Sequence, residues 1–215
     1  MPRRALIDSR PWLFAGIVMA IAFWVLSDSA LGGWFLIALK GGSVAAMAVY
    51  ALTRGKGRDA TLVAAVMAIG AAGDVGIELS TVAGGALFLL AHLVAIYLYR
   101  VNARPNPTSS QLGAAAALML GVPLGAWLLA HDVLAVIYAV ALGAMAATAW
   151  LSRFSRYHLG VGALLFVASD LLIFARLGGV LDQSLTEWFV WPLYYAGQFL
   201  ICTGVIRTIR RDNQA

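Results

Sequence analysis

The side chains of this sequence that could do chemistry are ionisable groups inside long apolar stretches. They are Lys40, Asp74, Glu78, His92 and Asp170. An ionisable group in an apolar medium is costly unless it is paired or hydrated, so such groups mark functional sites. Carboxyl groups can act as general acid and general base. We predict that Asp74 and Asp170 are catalytic, because two deep carboxyl groups from separate stretches are costly for packing alone.

Helical spacing adds supporting residues to these two. Glu78 lies four residues after Asp74 and therefore faces the same way on a helix. In the last apolar stretch, Tyr194, Tyr195 and Gln198 follow three- and four-residue spacing, which places them on one helix face. We predict that these residues, together with the lysine and the histidine named above, bind or support a substrate.

A purely structural explanation exists for several of the supporting residues. Lys40 could be the counter-ion of a buried carboxylate, and Glu78 could end its helix in the membrane interface. His92 could be a hydrogen-bonded core histidine, and Tyr194 could serve packing alone. The two aspartates have no comparable structural explanation.

The elements that must position these groups are transmembrane helices. Of the 215 residues, 62% are hydrophobic and 12% are charged, and the mean hydropathy of +0.86 excludes an ordinary soluble domain. One crossing takes roughly 20 apolar residues. We therefore predict an all-α, polytopic membrane helix bundle that forms a single transmembrane domain over residues 1–215. Its eight predicted spans are Trp12–Ser27, Gly33–Leu52, Ala60–Leu79, Val82–Tyr99, Gln111–Ala130, Val133–Leu151, Leu159–Gly178 and Trp188–Ile206.

The positive charges support this number of spans. Thirteen of the fifteen Lys and Arg residues fall on one side of the membrane if there are eight crossings, as expected from the preference of Lys and Arg for the cytoplasmic side. They are Arg3, Arg4, Arg10, Arg54, Lys56, Arg58, Arg100, Arg104, Arg153, Arg156, Arg207, Arg210 and Arg211. Both termini are therefore predicted to be cytoplasmic. The net charge of +5 reflects this topology, and no nucleic acid partner is expected.

The polar residues also share one depth in the predicted membrane. Counted from the outer ends of their spans, Lys40, Asp74, His92, Asp170 and Gln198 lie about 7 to 15 Å deep at 1.5 Å per residue. Buried polar groups at one depth need partners there, which predicts a single pocket. The third span of each half carries a small residue followed by aspartate, so two parallel four-helix halves are a further hypothesis.

Five short motifs in this order resemble those of a known family. The stretches are LKGGS with Lys40, AAGDVGIEL with Asp74, GALFLLAH with Phe88 and His92, FVASDLL with Asp170, and YYAGQFLI with Gln198. Together they resemble the YhhN-like membrane proteins, which include the vertebrate lysoplasmalogenases, over nearly the whole chain. One departure is Gly41, where the family's lysine motif has a proline. This difference affects local helix shape more than chemistry.

The resemblance implies an eight-helix enzyme that hydrolyses the vinyl ether bond of a lysoplasmalogen. The products would be a fatty aldehyde and a glycerophospho-ethanolamine or -choline, and no cofactor is expected. Such a reaction needs a proton delivered to carbon and a water activated by a base. We assign Asp170 as the acid and Asp74 as the base, although the sequence alone leaves the opposite order open. The partners would be a lysophospholipid and membrane lipids, and the abundance of Arg and Ala suggests a bacterial cell membrane.

Two other classes of protein remain as alternatives. A small-solute or lipid transporter could use the same intramembrane Asp, Lys and His groups as a proton relay or substrate site. A zinc-dependent amidase or lipase would need about three protein ligands around the metal. His131 lies at a predicted loop and His158 at the predicted cytoplasmic end of a helix, so both are far from His92. A histidine-rich zinc site is therefore not favoured, and no metal is expected.

Overall fold

The computed structural model describes residues 10–29 and 32–214. Within this part the chain forms eight α-helices, and the prediction of an all-α, polytopic membrane helix bundle is confirmed. The first two predicted charges, Arg3 and Arg4, lie outside the described residues. The helices are α1 (Pro11–Leu26), α2 (Trp34–Arg54), α3 (Arg58–Leu79), α4 (Thr81–Val101), α5 (Ser109–Ala130), α6 (Val133–Leu151), α7 (Val161–Leu177) and α8 (Gln183–Asp212).

Seven of these helices, α2 to α8, are long and apolar enough to cross a membrane, when α7 is counted together with the helical turn before it as Arg156–Leu177. Large apolar side chains such as Leu120, Val133 and Leu134 are exposed along them, which suits a lipid environment and not water. Helix α1 is shorter, with 16 residues and a length of about 24 Å at 1.5 Å per residue. The crossing of the membrane by this first helix therefore stays a prediction.

The last helix is longer than its apolar stretch predicts. It runs from Gln183 to Asp212, whereas the apolar stretch covers Trp188 to Ile206. A helix of 30 residues is about 45 Å long, which matches a bilayer including its headgroup layers. Polar side chains at the two ends of the helix are compatible with these headgroup layers. At the first turn, Gln183 Nε2 donates to Glu187 Oε1 at 2.5 Å, an i, i+4 pair that supports this extension.

Local sequence signals fix several helix ends. Helix α5 starts with a capping box, in which Thr108 and Gln111 each satisfy a backbone N–H of the other. It ends at His131, whose left-handed φ of 50° closes the helix. Asp132 then caps α6 by accepting from Ala135 N at 2.8 Å. A turn of π-helix, Arg156–Gly160, precedes α7.

The described residues form two compact units, which are considered separately. The first comprises the described parts of Met1–Ala91 and Ile209–Ala215, and the second is His92–Thr208. In the first unit α1 packs on α2 and α2 on α3, and in the second α5 packs on α6 and α7. The single domain over residues 1–215 and the two four-helix halves both stay predictions.

One end of the second unit gathers basic residues from separate connections. Arg153 binds Asn102 twice, through backbone N to O at 2.8 Å and through Nε to Oδ1 at 2.6 Å. Arg207 Nη1 lies 3.2 Å from Nε2 of His158 in the π-helical turn. Arginines after α6 and near the end of α8 therefore share one end of this unit, as the alternation of charge predicts.

Helices α7 and α8 are in close contact at two glycines. A Cβ built on Gly162 would lie 2.8 Å from the carbonyl O of Gly197, and one on Gly197 would lie 2.8 Å from the carbonyl O of Gly162. Nothing lies within 4 Å of the corresponding position at Gly121, in the GxxxG spacing of α5. The close contact is therefore made by glycines without GxxxG spacing.

Replacing Gly197 by Ala is expected to destabilise the protein, because its methyl group would collide with backbone that cannot move alone. Overpacking of this kind costs about 1–3 kcal/mol, which lowers the melting temperature in detergent by roughly 2–12 °C at ~2–4 °C per kcal/mol. The matched control is Gly121→Ala, which should leave the melting temperature unchanged or raise it slightly. Equal melting temperatures for the two variants would contradict the α7–α8 contact.

Candidate functional site

The candidate site of the second unit is built on one face of α7. Phe166 and Asp170 lie four residues apart on this helix, so their side chains point the same way. Asp170 is 6% exposed, and Phe166 is buried beside it. A carboxyl group this deep in an apolar helix needs a hydrogen-bond partner, which must come from another helix.

That partner is Tyr138 of α6. Its hydroxyl Oη donates to Asp170 Oδ2 at 2.8 Å. On its other side, Tyr138 Oη lies 3.0 Å from Nε2 of His92 in α4. When Tyr138 donates to Asp170, its oxygen can accept from His92 in the tautomer that carries the proton on Nε2. A chain of two hydrogen bonds thus runs from α4 through α6 to α7.

Aromatic rings surround this chain and connect it to α8. The Phe166 ring meets His92 edge to face at a centroid distance of 5.0 Å and Tyr194 at 5.2 Å. The Tyr138 ring packs in the same manner against Phe174 at 6.1 Å. Edge-to-face contacts of this kind fix ring orientation. They hold the polar atoms of the site in place.

Gln198 of α8 offers an unused acceptor within the same unit. Its Nε2 donates to Tyr194 Oη at 3.3 Å. Its Oε1 is buried and has no hydrogen-bond partner among the described residues, and neither has Oη of Tyr195. An unpaired buried acceptor costs about 1–3 kcal/mol, so Gln198 Oε1 suits a hydroxyl group or water of a bound ligand.

The first unit holds a separate polar cluster on α2 and α3. Lys40 Nζ lies 2.6 Å from Glu78 Oε1, with side chains that are 15% and 39% exposed. The same ammonium sits 5.6 Å from the centroid of the Phe23 ring, in reach of a cation–π attraction. Lys40 is therefore a counter-ion of Glu78, which is a partly exposed carboxylate.

Asp74 lies one turn before Glu78 on α3 and is 2% exposed. The residue before it is Gly73, where a Cβ would lie only 3.1 Å from the Phe88 ring. The ring of α4 thus packs directly on the backbone of α3 at this point. Asp74 therefore lies at a closely packed position of the first unit. A carboxyl group is costly at such a position, which marks Asp74 as structurally or chemically important.

One protein family matches most of the chain. The model of the YhhN family matches residues 35–205, about four fifths of the 215 residues. The chain belongs to the YhhN family. This confirms the resemblance carried by the five motifs, and the matched range includes every candidate residue named above. No curated protein and no solved structure matches the chain significantly.

Tyr138 is the residue of this YhhN protein that the sequence did not single out. Helix α6 contains no Asp, Glu, Lys, Arg or His, so a search for charges inside the spans passes over it. One signal was available, since Tyr138 lies in the second turn of α6 among Ala, Val and Ile. A lone tyrosine hydroxyl at that depth needs a buried partner.

Ser169 of this YhhN protein is a structural residue. Its Oγ donates to the carbonyl O of Val190 at 3.0 Å and so ties α7 to α8. Its neighbour Asp170 points instead to Tyr138. In residues 10–29 and 32–214, no three His, Cys, Asp or Glu side chains are grouped in a way that could hold a metal ion.

Proposed function

We propose that this YhhN-family protein is a membrane-embedded hydrolase that cleaves the vinyl ether bond of lysoplasmalogens. The products are a fatty aldehyde and a glycerophospho-ethanolamine or -choline. The observation that carries the proposal is the Asp170 carboxyl, buried among aromatic rings and hydrogen-bonded by Tyr138. Such a group can hold a proton for a substrate carbon in a place where bulk water does not compete for it.

The first step is proton transfer to carbon. The double bond of the vinyl ether supplies an electron pair to the proton of Asp170, and a new C–H bond forms at the carbon distant from the ether oxygen. The ether oxygen then donates a lone pair, which gives an oxocarbenium ion and leaves Asp170 as a carboxylate. That negative charge next to the cation stabilises it electrostatically.

The second step is hydration and collapse. Water adds to the oxocarbenium carbon while a base removes its proton, and a hemiacetal forms. The Asp170 carboxylate then takes the hemiacetal hydroxyl proton, while the protonated base returns its proton to the departing glycerol oxygen. Both carboxyl groups end in their starting states. We assign the base to Asp74 on the sequence argument alone, since it is the other deep carboxyl group of the chain.

The remaining candidate residues have supporting roles in this proposal. The Oε1 atom of Gln198 accepts from a glycerol hydroxyl or the attacking water, with Tyr194 holding its amide. Tyr195 offers a second unpaired hydroxyl. The Lys40–Glu78 pair is partly exposed and suits contact with a polar headgroup. The lipid chain would lie among the apolar helices, and we place the protein in a bacterial cell membrane with both termini cytoplasmic.

Purified protein in detergent tests this function. We expect aldehyde release from a lysoplasmalogen without any ion gradient. The matched lipid with a saturated alkyl ether should not react, because it has no double bond to accept a proton. Gradient-dependent uptake into liposomes without bond cleavage would contradict the hydrolase and support a transporter instead.

A further inference from the structure

We infer that Tyr138 is a positioning residue that selects which oxygen of Asp170 delivers the proton. The inference rests on the proposed hydrolysis. It starts from two distances in the second unit, 2.8 Å from Tyr138 Oη to Asp170 Oδ2 and 3.0 Å from Oη to His92 Nε2. Both are ordinary hydrogen-bond lengths, and together they use the donor and one acceptor site of the hydroxyl.

The direction of the chain determines where the acidic proton sits. In the arrangement proposed, Tyr138 still donates to Oδ2 when Asp170 is protonated, which makes this oxygen the carbonyl oxygen of the acid. The acidic proton then resides on Oδ1. Without Tyr138, this hydrogen bond would no longer favour one of the two oxygens as the site of the proton. A fixed position for the proton is what transfer to a particular carbon requires.

The same hydrogen bond strengthens as the reaction proceeds. When the proton leaves Oδ1, negative charge spreads over both carboxylate oxygens, and the bond from Tyr138 becomes charge-assisted. Such bonds are roughly twice as strong as neutral ones. The bond to Tyr138 therefore stabilises the transition state more than the bound substrate, which raises kcat and leaves KM nearly unchanged. His92 supports it by donating to the hydroxyl oxygen.

The ring of Tyr138 has a separate packing role. It meets the rings of His92 and Phe174 at centroid distances of 5.3 and 6.1 Å. Phenylalanine preserves these contacts and removes only the hydroxyl. The effect of Tyr138→Phe thus isolates the two hydrogen bonds from the packing of the ring.

Tyr138→Phe is expected to lower kcat by about 10- to 100-fold, the range for loss of a hydrogen bond to a charged group, with KM changed less than about two-fold. The control is Tyr99→Phe in α4, since Tyr99 is a buried tyrosine of the same unit whose hydroxyl has no partner among the described residues. It should keep the wild-type kcat. In an Asp170→Asn background, Tyr138→Phe should cause no further loss, because the two residues act as one unit.

A second variant keeps the test decisive if Tyr138→Phe folds poorly. His92→Phe removes the donor to Tyr138 Oη, and we expect kcat to fall about 2- to 12-fold, as for a neutral hydrogen bond. Wild-type kcat in both variants would overturn the inference while leaving the hydrolase intact. A further loss from Tyr138→Phe in the Asp170→Asn background would also overturn it. Absence of aldehyde release by the wild type would instead overturn the proposed function.

Discussion

Asparagine at position 170 is expected to lower kcat for lysoplasmalogen hydrolysis by about 10²- to 10⁴-fold, the usual contribution of a general acid. The amide has the shape of the carboxyl group, and its oxygen can still accept from Tyr138. It has no acidic proton to give to carbon. Aldehyde release by the pure variant measures the loss, and the melting temperature shows whether the fold is intact.

The control for this variant is Asp132→Asn. Asp132 caps α6 outside the candidate site, and asparagine caps helices as well as aspartate does. Its activity should equal that of the wild type. In cells, mass spectrometry of lipids should show intact lyso vinyl ether lipid accumulating with Asp170→Asn and not with Asp132→Asn. More than a tenth of wild-type activity in Asp170→Asn would contradict the assignment of the acid.

Asparagine at position 74 should also lower kcat, by about 10²-fold or more, because the attacking water loses its base. This variant can still protonate the substrate through Asp170. Azide, an anionic nucleophile that needs no base, is therefore expected to restore consumption of the lysoplasmalogen in Asp74→Asn but not in Asp170→Asn. Consumption of the lipid with and without azide is the measurement.

The azide experiment also decides the order of the two carboxyl groups, which the sequence leaves open. Rescue of Asp170→Asn and not of Asp74→Asn would reverse the roles of acid and base. If Asp74→Asn is as active as the wild type, Asp74 has no part in the mechanism. Glu78→Gln is the control on the same helix face, since Glu78 is partly exposed and paired with Lys40. It should affect KM more than kcat if it contacts only the headgroup.

The helices could be predicted well from the sequence, because each apolar stretch is about as long as one membrane crossing requires. The predicted span of α8 was too short at both ends. The polar residues next to Gln183 and next to Asp212 are helical, but they carry no apolar signal. Spacing within one helix was also predictable, as for Tyr194 and Gln198, which do meet through a hydrogen bond.

Contacts between helices were much harder to predict, because they depend on the rotation and crossing of each helix and not on its own pattern. The pairing of Lys40 with the partly exposed Glu78, for example, joins two helices and could not be read from the pattern of either one. Tyr138 was not singled out, although it joins His92 to Asp170. The close approach of α7 and α8 at Gly162 and Gly197 similarly follows from two helices together.

Hydrolysis in D₂O measures proton transfer to carbon directly. The wild-type protein is incubated with a lysoplasmalogen, and the aldehyde is reduced at once to its alcohol so that later exchange is prevented. If the acid delivers its proton to the vinyl ether carbon, the product carries one deuterium at C2, next to the former carbonyl carbon. An aldehyde released without deuterium at C2 would contradict the mechanism proposed for Asp170.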